Sequence, residues 1–87
     1  MKTIIASLIK WENYQIANNA ARAPFFIVFE NDKYIKSIEN PFKTGGWAWF
    51  AVAELLNDEW CNLFIAWKIW WNLQNKLEEY SIKIEEK

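Results

Sequence analysis

Eighty-seven residues, 24% charged with a net charge of −1, make one small domain over 1–87 and offer no basic field for nucleic acid. With no histidine and one cysteine, an internal disulfide is excluded and a transition-metal ligand set is poorly supplied, so no metal ligand is assigned. No apolar run is long enough for export or for spanning a bilayer, so a cytoplasmic protein with no membrane partner is expected.

Residues 3–9 form a continuous Ile-rich run, the pattern of a strand buried on both faces. Residues 10–23 are polar and irregular, anchored by Trp11, Tyr14 and Ile16, with one helical turn expected before Pro24. Phe25-Phe26-Ile27-Val28-Phe29 predicts a second strand. Asn31-Asp32 is a two-residue hairpin turn, and 34–39 alternates loosely with Lys33 and Lys36 as an edge strand ended by Asn40-Pro41. Within 48–58, Trp49, Val52, Ala53 and Leu56 fall on one helical stripe. Leu63-Phe64-Ile65-Ala66 reads as a central strand. Ile69, Leu73, Leu77 and Tyr80 repeat at helical spacing, and Ile82 and Ile84 alternate with Lys83 and Glu85 in a short last strand.

The order β-β-β-α-β-α-β, with right-handed crossovers, predicts an α/β fold. Its mixed five-stranded sheet has the order 3-2-1-4-5, with strand two antiparallel to the rest. This is a ribonuclease H-like arrangement. Strands one, three and four then share a carboxyl edge, where ligands of open α/β sheets bind.

Several side chains are candidates for that edge. Gly45-Gly46 before a helix reads either as an anion cradle or as a plain strand-to-helix turn. Arg22 suits an anionic cluster or phosphate, or a structural salt bridge. Lys68 follows the fourth strand and reads either as added positive charge at the same edge or as a solvated lysine. Cys61 has no Cys or His neighbour and reads as a small buried hydrophobe. The acids lie mostly on turns and helix faces, and strands one and four carry none to hold metal ions for hydrolysis. No catalytic residue is assigned, and an enzyme is not expected.

Met1-Lys2-Thr3-Ile4-Ile5-Ala6, Arg22-Ala23-Pro24-Phe25-Phe26-Ile27-Val28, Ile38-Glu39-Asn40-Pro41, Gly45-Gly46 and Leu63-Phe64-Ile65-Ala66 together resemble the dinitrogenase iron–molybdenum cofactor biosynthesis family. These are the nitrogenase accessory-factor-like domains. The resemblance implies the fold just derived and a non-enzymatic binding or carrier role. The implied cargo is an iron–sulfur or iron–molybdenum cluster, held near Asn19, Arg22, Gly45, Gly46, Trp47, Trp67 and Lys68. Where the family commonly shows His-Phe-Gly ahead of Arg-Ala-Pro, this chain has Asn19-Ala20-Ala21.

The second departure is compositional, with seven tryptophans against two glycines. All seven fall where the family pattern expects glycine or another turn residue, and Asp32 and Ser81 sit at glycine-like turns too. This reads as an engineered or rewritten variant of a natural scaffold. The alternative function is an engineered scaffold or self-associating protein whose Trp cluster has no native ligand. Six indoles are expected at the shared carboxyl edge, plugging the cleft, with Trp60 alone at the opposite edge.

Overall fold

Alternation along β1 (Lys2–Ser7) and β2 (Phe25–Glu30) sorts their side chains between two faces of a sheet. The computed structural model describes residues 1–42 and 47–87. A 3-10 turn at Ala20–Arg22 separates these strands, and β3 (Lys33–Glu39), α1 (Ala48–Asp58), β4 (Leu63–Ala66), α2 (Trp71–Glu79) and β5 (Lys83–Glu86) follow. The sheet order is β3-β2-β1-β4-β5. Strand β2 is antiparallel to both its neighbours, and β1, β4 and β5 run parallel. This is the mixed sheet that the sequence predicts.

Both crossovers step the same way along the sheet, so right-handed connections lay α1 and α2 on one face. Val52, Ala53 and Leu56 of α1, with Leu73 and Leu77 of α2, close over Ile4, Ala6, Phe26, Val28 and Phe64 in one core. The Phe26 and Phe64 rings meet there at 6.1 Å, inclined by 56°. Ile5 and Ile27 are buried as well, and strand alternation turns them to the other face.

That second face is covered by the loop after β1, and here one expectation fails. Trp11 stacks on Tyr34 at 3.9 Å and leans on Phe29 at 5.6 Å, over β2 and β3 and away from the carboxyl edge. The cause is Ser7, where the strand stops two residues short of the apolar run. Its hydroxyl donates to the Ile9 carbonyl at 2.7 Å and accepts the Ile9 N–H at 3.0 Å. The chain then doubles back, with Leu8 N–H on the Gln15 carbonyl and Ala17 N–H on Ala6. Leu8 and Ile9 are left exposed, and Trp11 is carried across the sheet.

Each helix ends on a left-handed residue. After α1, Trp60 (φ 62°) donates to the Asn57 carbonyl and Cys61 to Leu56. After α2, Ser81 (φ 62°) donates to Glu78 and Ile82 to Leu77. Both are Schellman closures, a position that favours glycine. A side chain there costs about 1–2 kcal/mol, and Trp60 is 82% exposed, so burial recovers little of it. Trp60→Gly is expected to raise the melting temperature by about 4–8 °C, in proportion to roughly 1 kcal/mol of relieved strain. Thermal unfolding followed by circular dichroism checks this; an unchanged or lower midpoint shows that the indole's remaining contacts outweigh the strain.

Candidate functional site

The topology brings three loops to one edge of the sheet: the segment after β1, the approach to α1, and the turn from β4 into α2. Between them lies a cleft of about 250 Å³. Asn19, Ala21 and Arg22 form one wall, Trp47, Ala48 and Trp49 a second, and Trp70, Trp71, Asn72 and Leu73 the third. The charge pattern is one-sided, with one guanidinium, two amides and no carboxylate among the described lining residues.

The first wall is held by a buried amide. Asn40, 1% exposed at the end of β3, donates through Nδ2 to the carbonyls of Ala21 at 3.0 Å and Ala23 at 2.9 Å. Its Oδ1 accepts the Phe42 N–H at 2.8 Å. A single side chain thus ties the 3-10 turn that carries Arg22 to the strand leading toward α1. Asn19 caps that turn, its Oδ1 accepting from Ala21 N–H at 3.2 Å. With the oxygen so used, Asn19 offers the cleft its N–H donors.

The other two walls are the first turns of α1 and α2. Trp47 precedes α1 with a left-handed backbone (φ 63°, ψ 21°), and Trp70 precedes α2 in an extended one. Neither Trp47 nor Trp70 caps its helix through its side chain, and both helix starts, with their first-turn N–H groups, lie at the cleft. Asn72, in the first turn of α2, has a buried Oδ1 with no hydrogen-bond partner among the described residues. Rotating that amide puts an N–H in the same place.

The structure gathers three of the sequence-predicted residues, Asn19, Arg22 and Trp47, in this cleft. Gly45 and Gly46 lie outside the described residues. Trp67 and Lys68 follow β4 but do not line the cleft; Lys68 instead places its ammonium 5.8 Å from the Trp70 ring centre. Trp49, Trp70 and Trp71 line it as well, in keeping with the indoles expected at this edge, and Asn72 joins them unanticipated. Their signal was positional, since the first turn of a helix after a parallel strand lies on the strand's carboxyl side. The indoles do not plug the cleft. Trp47, Trp70 and Trp71 remain 74%, 59% and 69% exposed around an open mouth, because each starts a helix and projects from its end.

No group of three or more His, Cys, Asp or Glu residues able to hold a metal ion occurs among the described residues. Cys61 lies beyond the far end of α1, buried, its Sγ donating to the Leu63 carbonyl at 3.2 Å. Burial pushes the thiol up to about 12, outweighing the backbone hydrogen bonds and the Lys2 charge that lower it. An unfolded thiol ionises near pH 8.5. The neutral-thiol contribution to stability is therefore complete below that pH and drains away as pH rises toward 12. The slope from this group is at most about 1.4 kcal/mol per pH unit. Denaturant midpoints from pH 8 to 11 should fall less steeply for Cys61→Ala than for the parent, and parallel lines would overturn this account.

No protein-family model matches the sequence, and no curated protein matches it. Solved structures do match in shape, and they define the class as a small α/β domain of this one topology. The apo form of the orange protein from Desulfovibrio gigas superposes with a TM-score of 0.89 at 13% identity, over 98% of this chain and 73% of that one. The protein PH0822 gives 0.80 at 12% identity, over 99% and 76%. A putative NifB protein from Thermotoga, described as belonging to the DUF35 family, gives 0.76 at 20% identity, over 99% and 75%. At these identities the likeness is one of fold.

Proposed function

We propose that this chain is a non-enzymatic binding or carrier domain of the nitrogenase accessory-factor-like kind. Its cargo is a preassembled, anionic iron–sulfur or iron–molybdenum cluster. The observation that carries the reading is the cleft's charge pattern: Arg22 and Asn19 stand opposite two helix starts, with no carboxylate among the described lining residues. Such a surface attracts an anion and repels none. The described lining residues bring no sulfur or imidazole, so they do not suit a bare metal ion. They suit a cluster that brings its own sulfide ligands and is held by charge and hydrogen bonds. The fold is shared with an orange protein whose structure was described as an apo form, and with a putative NifB protein.

A soluble thiomolybdate anion is the probe, added anaerobically and followed by its visible absorption through gel filtration. Colour should travel with the protein. Arg22→Ala should weaken retention by about 10- to 100-fold, the loss of one charge-assisted contact. Colourless protein fractions at millimolar probe would sink the proposal.

A second reading, self-association, rests on exposed rings. Trp47, Trp60, Trp67, Trp70 and Trp71 are each more than half exposed, and apolar surface of that extent commonly marks association. Light scattering over a concentration series should show mass rising with concentration; a constant monomer mass removes this reading. Among the described residues no helix is long and apolar enough to cross a membrane.

A further inference from the structure

We infer that the seven tryptophans mark glycine positions of the working protein, all written by one codon, UGA, which the cell that makes this chain decodes as glycine. The inference stands apart from the carrier reading and rests on where the rings sit.

The backbone speaks first. Among the described residues, non-glycine residues with positive φ are Asn13, Asn31, Asp32, Ser81, Trp47 and Trp60. Asn and Asp tolerate that region through local side-chain hydrogen bonds, whereas an indole gains nothing there. Trp47 precedes α1 and Trp60 closes it, both at 62–63°, and both are exposed, at 74% and 82%. Burial offsets little of the strained conformation at either place; Trp47 has only an inclined contact with the Trp49 ring, at 5.7 Å, among the ring pairs. A residue without Cβ adopts that conformation freely.

Burial speaks second. Tryptophan is the largest apolar side chain and is on average highly buried, yet none of the seven is among the buried residues of this fold. The core closes with Ile, Leu, Val, Phe, Ala and Cys61, and of the seven tryptophans Trp49 alone packs against its margin. Trp67 follows the last residue of β4, and Trp70 and Trp71 bracket the start of α2. These are turns and caps, where chains place small or flexible residues. Trp11 is the exception in its contacts, stacked on Tyr34 at 3.9 Å, yet it too is only half-buried and lies in the loop after β1.

Composition speaks third. The chain's two glycines are Gly45 and Gly46, so no turn among the described residues uses one. Seven independent Gly-to-Trp replacements, in loops, at helix ends and in the first helical turns, need seven causes. One codon needs one. UGA is a single base from the tryptophan codon UGG and a single base from the glycine codon GGA, so one decoding rule turns every such glycine into tryptophan. Glycines written with ordinary GGN codons, as at 45 and 46, are untouched.

With glycine at these places the cleft loses the rings that rim it. What remains is Arg22, Asn19 and Asn72 around the main-chain amides that begin α1 and α2.

The test is peptide mass spectrometry of the protein from the cells that encode it, alongside its gene sequence. The expected result is UGA at the seven codons and peptides lighter at each by the mass difference between tryptophan and glycine. A UGG codon, or a tryptophan-containing native peptide, at 47 or 60 overturns the inference. A chain made with glycine at all seven positions should also melt about 10 °C above the tryptophan form, and an equal or lower midpoint argues that the fold was built for the rings. Neither readout involves cargo, so failure here is distinct from failure of the carrier reading.

Discussion

The parallel half of this sheet depends on two left-handed residues. A strand–helix–strand crossover returns its second strand in register only when the helix stops abruptly and the chain reverses within a residue or two. Trp60 and Ser81 make those stops, and the residues after them, Cys61 and Ile82, drop into the core. Their amides take up the Leu56 and Leu77 carbonyls, so each helix end is satisfied as its neighbouring strand begins. Because β4 pairs with both β1 and β5, a fault at either stop would propagate across half the sheet.

The cleft is a by-product of that topology. Order 3-2-1-4-5 with two right-handed crossovers sends both helix starts to the edge where β1 and β4 end. The polar loop between β1 and β2 supplies the remaining wall. Asn40 then fixes that wall from beneath with two carbonyl contacts. The chemistry on offer is therefore mostly main-chain, modulated by one guanidinium and a few amides.

Much of this was legible in the residues. The α1 stripe and the Leu63-Phe64-Ile65-Ala66 strand were bounded correctly because periodicity and burial agree there. Asn31-Asp32 gave the hairpin because both residues tolerate the left-handed turn that they adopt. The end of β1 was hidden because Leu8 and Ile9 look like strand, while a short-range hydroxyl contact at Ser7 decides the matter. Trp11 was misplaced for the same reason, since its position follows from that reversal. Trp67 and Lys68 share the correct edge but not the cleft, and their flanking sequence has no feature that distinguishes edge from lining. Asn40 read only as the end of a strand, because three hydrogen bonds from one amide leave no periodic trace.

The span of the Asn40 contacts also bears on the order of assembly. The amide reaches Ala21, Ala23 and Phe42, all within one contiguous segment that contains the β2–β3 hairpin. That segment closes through short loops and has little chain entropy to lose. The walls from α1 and α2 belong to the later crossovers, which join only when β4 docks on β1 across some sixty residues of chain. The cleft is thus a seam between an early-forming and a late-forming half. In the native ensemble its two sides are expected to part before either half unravels, widening the mouth while both sets of strands stay paired.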